Sequence, residues 1–237
     1  MVAETRKQRE IRRREEQILC IARRHLCEAG YLGLSMDRIA EEIEYSKGTV
    51  YQHFRNKEEI LLALANAALE TRTKMFQRAA QSTGGPRVRM AAVGAAAEAF
   101  LEQFPHFFIV EQIVRATSIW EKTSADRRQL MQHCESRCME IIGGIVRDAV
   151  ACGDLRISPG GSPEDIVFGL WSINWGAQTI MRSSDSLPEI GLPDPLGALR
   201  RNQNAMLDGH GWRPFSTEYD FNAYMDQVKQ ELFDHGG

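Results

Sequence analysis

Apolar residues between positions 35 and 57 recur at helical spacing in two short stretches. The first stretch places its apolar residues three or four positions apart, on one face of a helix: Met36, Ile39, Ala40 and Ile43. The second stretch repeats that spacing with Val50 and Phe54. The pattern predicts two short helices joined by a tight turn, followed by a third helix over residues 57–82.

Polar residues suited to capping helix ends precede these stretches. Ser35 and Ser46 stand at the two starts, where a serine hydroxyl can accept a hydrogen bond from an unpaired backbone amide. Asn56 is placed to cap the third helix. The second helix keeps a polar outer face: Lys47, Thr49, Tyr51, Gln52 and His53. This layout is typical of a helix-turn-helix, in which the second helix enters the DNA major groove.

Many positions across about the first quarter of the chain match one pattern in order and without gaps. They are Ile18, Leu19, Ala22, Gly30, Tyr31, Ser35, Met36, Ile39, Ala40, 46–54 and 57–61. The segment resembles the N-terminal domain of TetR-family transcriptional regulators. The resemblance implies an all-α fold, with an N-terminal arm and a three-helix helix-turn-helix domain at residues 1–57. A larger helical domain at residues 58–237 would bind an effector and dimerise.

Two residues depart from the pattern of the family. Glu44 stands where the family usually has a glycine in the turn, and His25 stands where an apolar residue is usual. If the turn requires a left-handed backbone at Glu44, the side chain costs about 1–2 kcal/mol. We therefore expect Glu44→Gly to keep or raise stability.

The resemblance also implies which side chains contact DNA. Four of them resemble the phosphate-contacting positions of the family: Ser35, Tyr51, His53 and Lys57. Four others are candidates for contact with base edges: Lys47, Gly48, Thr49 and Gln52. Lysine can reach guanine acceptors, glutamine can pair with adenine, and a threonine methyl can meet a thymine methyl. The alternative for each is a solvated surface side chain, or, for Tyr51, packing within its own domain.

Charge is distributed unevenly along the chain, although the net charge is only −3. Residues 1–57 carry 12 Lys and Arg against 9 Asp and Glu, whereas the remainder carries 17 against 23. The positive charge peaks ahead of the motif: Arg6, Lys7, Arg9, Arg12, Arg13 and Arg14. This arm either contacts phosphates or the minor groove, or is a solubilising, disordered tail.

The rest of the chain stays helical in pattern. Glycine and proline clusters delimit predicted helices near 87–104, 106–119, 124–152, 163–182, 195–208 and 217–234. Large rings with a few neutral amides suit an apolar ligand cavity. The candidate ligand-binding residues are Phe100, Phe104, Phe108, Trp120, Trp171, Asn174, Trp175 and Gln178. The alternative is that these residues are plain core or dimer interface.

Homodimerisation is implied by the resemblance, since late helices of two subunits form a four-helix bundle in that family. Here those helices are 163–182 and 195–208, with 217–234 as a further candidate. Leu196, Leu199, Met206 and Leu207 form an apolar stripe on the second of them. A two-fold dimer would place its recognition helices about one DNA turn apart on a pseudo-palindromic operator.

These observations predict a homodimeric transcriptional repressor that binds double-stranded DNA and is released by a small hydrophobic or aromatic effector. One alternative is a helical protein-interaction module without DNA readout. The other is an enzyme, but the sequence has no HExxH, GxSxG or phosphate-cradling glycine loop. We therefore predict no catalytic residue and no cofactor.

Cysteine positions and hydropathy indicate whether the chain has a metal site, a membrane span or a signal segment. Cys134 and Cys138 lie four residues apart beside His133, which allows a soft-metal or redox-sensing role, but packed thiols are the simpler interpretation. We predict no metal site. No stretch approaches the roughly 18 apolar residues of a membrane span, and no apolar signal segment is visible at the N-terminus. We expect a soluble, cytoplasmic protein with no membrane partner.

Overall fold

The computed structural model describes residues 5–115 and 117–233, with the side chains of residues 117 and 118 left aside. Within these residues the chain forms eleven α-helices and no β-strand, so the predicted all-α fold is confirmed. The helices are α1 Arg6–Gly33, α2 Met36–Glu42, α3 Lys47–His53, α4 Lys57–Ala80, α5 Pro86–Gln103, α6 Pro105–Val114, α7 Thr117–Trp120, α8 Ala125–Cys152, α9 Pro163–Ser183, α10 Pro195–Gly209 and α11 Phe221–Leu232.

Helix α1 begins within the arginine-rich segment. The Thr5 hydroxyl accepts a hydrogen bond from the Gln8 amide, and the Gln8 side chain accepts one from the Thr5 amide, which together form a capping box. The arm is therefore helical from Arg6 onward, and the disordered-tail alternative is wrong for these residues. Gly30, at φ 64° and ψ −169°, interrupts the helical path near the end of α1.

The turn between α2 and α3 keeps a left-handed residue at the position where the family pattern has glycine. Glu44 adopts φ 56°, the left-handed region that a glycine would occupy without strain. Ser46 caps α3, since its hydroxyl accepts a hydrogen bond from the Thr49 amide at 3.2 Å. Ser35 does stand at the N-cap of α2, but its hydroxyl makes no capping bond, so that part of the prediction was wrong. The Ser35 carbonyl instead accepts from the Ile39 amide at 3.1 Å.

The later helices fall close to their predicted positions, with two differences. The predicted helix 106–119 is two helices, because α6 ends at Val114 and the short α7 begins at Thr117. The predicted helix 217–234 starts late, because Asp220 caps α11 by accepting from the Ala223 amide, while Glu218 is engaged in a turn with Phe215. Residue 234 lies outside the described residues.

The chain divides into two compact units. Unit 1 comprises residues 1–71 and 100–135, and unit 2 comprises residues 72–99 and 136–237. The helix-turn-helix thus shares unit 1 with the first part of α4, with α6 and α7, and with the start of α8. Its core joins residues from all of these helices: Ile18, Ile39, Val50, Phe54, Leu61, Leu69, Val114, Ile119 and Met131. The functional boundary between residues 57 and 58 stays a prediction.

The core of unit 2 combines apolar packing with buried ion pairs. Arg200 on α10 donates two hydrogen bonds to the Glu98 carboxylate of α5, at 2.7 and 2.6 Å, and a third to Asp226 of α11 at 2.8 Å. Arg87 on α5 is also buried and donates to Asp208 of α10 at 3.1 Å. Paired charges of opposite sign therefore join α5, α10 and α11.

Candidate nucleic-acid interface and effector residues

The polar face of α3 is presented on a buried apolar frame. Val50 and Phe54 are fully buried in the core of unit 1, and their burial fixes which side of α3 turns inward. The opposite side is left to solvent, with Lys47, Gly48 and Gln52 exposed and Tyr51 48% exposed. The alternative for Tyr51, packing within its own domain, therefore does not account for about half of its surface. The exposed face is available for a groove-sized partner.

Lys47, the first residue of this face, is held by an ion pair. Its Nζ atom lies 2.8 Å from Oδ2 of Asp37 on α2. The hydrogen bond to Asp37 raises the pKa of Lys47, so the side chain stays a cation. Both side chains are more than half exposed, so the pair is weak and exchangeable. The sequence placed Lys47 on the surface, but it did not reveal that Asp37 is its partner.

Thr49 and Gly48 have different local constraints. The Thr49 hydroxyl lies 2.9 Å from the Ser46 hydroxyl and is therefore engaged at the start of α3. A β-carbon at Gly48 would meet only the Ser46 hydroxyl, at an ordinary 3.8 Å. Nothing in the fold of the chain itself therefore requires glycine at position 48.

Lys57 is positioned by the end of α1. Its Nζ atom donates a hydrogen bond to the Tyr31 carbonyl at 3.3 Å and lies 4.1 Å from the centre of the Tyr31 ring. The Tyr31 hydroxyl donates to Glu58 at 2.9 Å. Burial, together with Glu58, raises the pKa of Tyr31 to about 12, so Tyr31 remains a donor. One hydrogen of the ammonium group is thus used internally, and two are left for an outside acceptor.

His53 is placed differently from the other predicted phosphate contacts. Its side chain is only 8% exposed, and its Nδ1 atom lies 3.8 Å from Glu15 of α1. Its carbonyl oxygen accepts a hydrogen bond from Arg127 of α8 at 3.3 Å. Contact between the His53 ring and a phosphate stays a prediction, and it would require the ring to turn outward.

Basic residues of α1 extend the exposed surface. Arg6, Lys7, Arg9, Arg12 and Arg13 are exposed, and Arg14 pairs with Glu10 at 3.2 Å. Since the segment is helical, these cations are presented at fixed intervals rather than on a flexible strand of chain. Such a row of cations suits a regular array of phosphates.

The candidate ligand-binding residues of unit 1 form a ring cluster. Phe100 and Phe108 are buried, while Phe104 and Trp120 are half-buried. The ring centres of Phe100 and Phe104 are 5.5 Å apart, and Phe107 lies 5.4 Å from Phe104. These aromatic contacts cross the break between α5 and α6. The cluster is compatible with either of the interpretations that the sequence left open, ligand lining or plain core.

The candidate ligand-binding residues of unit 2 lie on α9. Gln178 is buried, whereas Asn174 and Trp175 are half-buried. Trp171 is 37% exposed and its ring centre lies 6.3 Å from that of Phe168, which is 64% exposed. Exposed rings on one helix are unusual for a ligand pocket and more typical of a protein interface. Ligand contact by these four residues stays a prediction.

Two interior groups in unit 1 were not anticipated from the sequence. Asn66 on α4 is only 5% exposed, and neither polar atom of its amide has a hydrogen-bond partner among the described residues. Arg127 reaches the end of α3 from α8. Asn66 falls within a run of apolar residues and could have been noticed as an exception, whereas no local pattern distinguishes Arg127 from its neighbours.

His25 is buried where the family pattern has an apolar residue. Its Nε2 atom lies 2.9 Å from Oε2 of Glu42, so α1 is tied to the end of α2. Burial, with the nearby cations Arg38 and Arg24, lowers the pKa of His25 despite this contact. The neutral imidazole therefore donates to Glu42.

The two cysteines that the sequence singled out, Cys134 and Cys138, are thiols inside the protein. Cys134 and Cys138 are buried in the cores of unit 1 and unit 2, respectively. Among the described residues, no three His, Cys, Asp or Glu side chains are grouped so that they could hold a metal ion. In that same part of the chain, none of the helices combines the length and apolar character that crossing a membrane requires.

Comparison with known proteins identifies the N-terminal pattern. The family model for bacterial regulatory proteins of the tetR family matches residues 18–64. The HTH-type transcriptional repressor AcnR of Corynebacterium diphtheriae is 41% identical over 56 residues, which are 24% of this chain and 30% of that protein. The HTH-type transcriptional activator FasR of Mycolicibacterium smegmatis is 32% identical over 93 residues, which are 39% of this chain and 41% of FasR. The chain thus matches less than half of the length of either relative.

A solved structure extends the likeness to the fold of the whole chain. The transcriptional regulator FadR of Bacillus subtilis, solved in complex with stearoyl-CoA, has a TM-score of 0.58 at 18% identity. The match covers 94% of this chain and 99% of that one. Its low identity makes it a statement about fold alone. The exposed face of α3 and the left-handed turn before it both lie within residues 18–64, the segment that matches the tetR family model of bacterial regulatory proteins.

Proposed function

We propose that the chain is a sequence-specific DNA-binding transcriptional repressor, acting in the cytoplasm as a homodimer that a small effector releases from its operator. The observation that carries the proposal is the exposed polar face of α3 on its buried frame of Val50 and Phe54. Lys47, Gly48 and Gln52 would read base edges from this face. Gly48 adds support, because the fold itself does not require glycine there and a close approach to DNA would.

Phosphate contacts would come from the rim of the same surface. The hydroxyl of Ser35 makes no capping bond and is half-exposed, Tyr51 is exposed, and Lys57 is oriented by Tyr31. Phosphate contacts position a protein on the duplex, whereas base contacts specify the sequence. The helical arginine segment of α1 would add further phosphate or minor-groove contact.

Homodimerisation is proposed through α9 and α10. Three large apolar side chains on α9 are exposed in the single chain: Phe168, Trp171 and Ile180. Phe168 and Trp171 share one side of α9, and a second copy packed there would cover both rings, which also favours the interface over the ligand pocket as the setting of Trp171. Two copies related by two-fold symmetry would read both halves of a pseudo-palindromic operator.

The effector is proposed to be a small hydrophobic or aromatic compound. Support comes from the aromatic residues Phe100, Phe104, Phe108 and Trp120, and from FadR, whose structure holds stearoyl-CoA. The direction of control is proposed as repression. AcnR is named a repressor and FasR an activator, so both outcomes occur among relatives of this chain.

Binding to duplex DNA over a salt series tests the proposal. We expect selection from a random-sequence pool to enrich a pseudo-palindromic duplex, with an affinity that falls steeply as salt increases. The double variant Lys47→Ala/Gln52→Ala should lose the preference for that sequence and keep weak, salt-sensitive binding to any duplex. Arg137→Ala, an exposed change on α8, is the control and should bind as the wild type does. Failure to enrich any duplex would favour the protein-interaction module.

The dimer is tested separately by light scattering coupled to gel filtration. We expect a mass of two chains, and we expect Trp171→Asp to shift it toward one chain. A wild-type protein that remains a single chain at micromolar concentration contradicts the homodimer. In that case, binding of one chain to half of the operator would be tested separately.

A further inference from the structure

The C-terminal end of α3 is tied to a part of unit 1 outside the helix-turn-helix. Arg127, in the first turn of α8, donates a hydrogen bond to the carbonyl of His53, the last residue of α3, at 3.3 Å. Its guanidinium carbon also lies 4.6 Å from the centre of the Phe54 ring. A cation at this place satisfies one of the unpaired carbonyls and meets the negative end of the helix dipole.

Two carboxylates complete the surroundings of Arg127. Nε of Arg127 lies 3.8 Å from Glu59 on α4, and its Nη2 atom lies 3.9 Å from Glu15 on α1. One guanidinium therefore contacts α1, the end of α3 and the start of α4. The planar fork of arginine suits this arrangement, because several donors leave it in fixed directions.

A second contact joins the same two regions. Asn56, which caps α4 by accepting from the Glu59 amide, also donates from Nδ2 to the Lys122 carbonyl at 3.0 Å. The Lys122 ammonium in turn lies 3.5 Å from Glu58. Residues 120–127, which we call the α7–α8 junction, are therefore bonded to both sides of the turn between α3 and α4.

The shortness of α3 makes these contacts consequential. Helix α3 has seven residues, and helices of that length are marginal without support from their surroundings. Ser46 caps its first turn and Arg127 satisfies its last carbonyl. Burial of Val50 and Phe54 fixes the inward face of α3, and Arg127 ties its C-terminal end to the α7–α8 junction.

We propose that Arg127 is a positioning residue for operator recognition, through which the α7–α8 junction sets the orientation of α3 without touching DNA. This inference rests on the proposed function of α3 in binding DNA. Trp120, a candidate effector-contacting residue, belongs to the same junction, and its carbonyl accepts hydrogen bonds from Thr123 and Arg128. An effector that displaces Trp120 would therefore also shift the two hydrogen bonds that link the junction to this region, from Asn56 to Lys122 and from Arg127 to His53.

The test compares Arg127→Gln with the matched change Arg137→Gln on the exposed surface of α8. The probe is the duplex that the wild-type protein enriches from a random-sequence pool. We expect Arg127→Gln to weaken binding to this duplex about tenfold, and Arg137→Gln to leave it unchanged. The dependence of log affinity on log salt should keep its wild-type slope. By contrast, neutralising a phosphate-contacting residue such as Lys57 should reduce the magnitude of that slope by about 0.9.

Hydrogen exchange separates positioning from general stability. In Arg127→Gln we expect faster exchange of the amides of residues 47–56 only, with the rest of unit 1 unchanged. Arg127→Lys keeps the charge but not the fork, and we expect it to restore binding only in part. Wild-type affinity of the folded fraction of Arg127→Gln would overturn the proposal, and so would a salt slope reduced by about 0.9.

The contact between Arg127 and α3 can be tested even if the protein does not bind DNA. If the wild-type protein enriches no duplex, DNA binding is refuted and the exchange experiment alone tests the link. Faster exchange confined to residues 47–56 would then support positioning of α3 by Arg127. Exchange unchanged there, or raised evenly through unit 1, would overturn it.

Discussion

Lys47, which opens the recognition helix α3, is ion-paired at 2.8 Å with Asp37, in the first turn of α2. Both residues are exposed, and each lies in the first turn of its helix, Asp37 in α2 and Lys47 in α3. An exposed pair of this kind is screened by solvent and weak, so an outside anion can displace the carboxylate at little cost. If Lys47 binds DNA as proposed, Asp37 orients it before binding and competes with DNA for it.

Neutralising Asp37 should tighten binding to DNA of any sequence. In Asp37→Asn we expect the affinity for a random duplex to rise about threefold at low salt, because a carboxylate near the phosphates is removed and Lys47 is freed. Fluorescence anisotropy over a salt series measures this change. Glu140→Gln, a change at an exposed acidic residue of α8 within unit 2, serves as the control. Equal or weaker binding by Asp37→Asn would contradict competition for Lys47.

Replacing Glu44 by glycine should stabilise the protein. Glu44 has φ 56°, and relief of left-handed strain in a residue with a side chain is worth about 1 kcal/mol. Urea unfolding should show that gain for Glu44→Gly. Glu41→Gly, three residues earlier within α2, should instead lose about 0.5–1 kcal/mol, because glycine weakens a helix. A lower melting temperature for Glu44→Gly would refute the strain.

His25 should make the stability depend on pH in the acidic range. Its pKa in the folded protein is lowered from the ordinary value of 6.5 by burial and by Arg38 and Arg24. The unfolded chain therefore binds more protons than the folded one below that value, and the free energy of unfolding should fall as the pH decreases. Other charges near the ring are Glu28 and Glu42.

Urea unfolding at pH 5, 6, 7 and 8 tests the role of this histidine. We expect His25→Met to remove part of the loss of stability between pH 7 and pH 5. His133→Met, at an exposed position on α8, should leave the profile as it is in the wild type. Identical profiles for His25→Met and the wild type would show that the neutral imidazole contributes nothing to this slope.

Breaking the buried pair in unit 2 should be costly, whereas removing both partners should not. Among the described residues, Glu98→Leu leaves the buried Arg200 with Asp226 as its acidic partner and removes a partner of Lys229, and we expect a loss of about 3 kcal/mol. The double variant Glu98→Leu/Arg200→Leu should recover most of it, as measured by urea unfolding. Arg201→Leu, which breaks an exposed pair with Asp194, should cost less than about 0.5 kcal/mol. Additive losses in the double variant would contradict the coupling.

The sequence predicted elements whose cause is local and missed those whose cause is distant. The helices and the cap at Ser46 follow from spacing and capping chemistry within a few residues, whereas the left-handed residue at Glu44 is suggested only by the family resemblance. The split between α6 and α7 was not predicted, although the polar residues Arg115, Thr117 and Ser118 interrupt the apolar pattern there. By contrast, the 74 residues that separate His53 from Arg127 put their contact beyond any local rule.

The candidate site divides in the same way. The exposed face of α3 could be predicted from the burial of Val50 and Phe54 alone. The small exposed area of the His53 ring could not, because the ring lies near residues far away in the chain, such as Glu15 of α1. The exposure of Trp171 could not be predicted either. The spacing of the aromatic residues on α9 is the same whether that face meets a ligand, a core or a second chain.

The capping box that starts α1 at Arg6 has a consequence for which polyanions the protein prefers. A flexible arginine tail can adapt to heparin, single-stranded RNA or duplex DNA almost equally, because it has no shape of its own. A helix instead fixes the backbone positions of its arginines at a rise of about 1.5 Å per residue. This arrangement favours a polyanion whose charges are also regularly spaced, such as duplex DNA. We expect heparin to be a poor competitor for the duplex. Thr5→Ala/Gln8→Ala, which removes the box, should make it a better one.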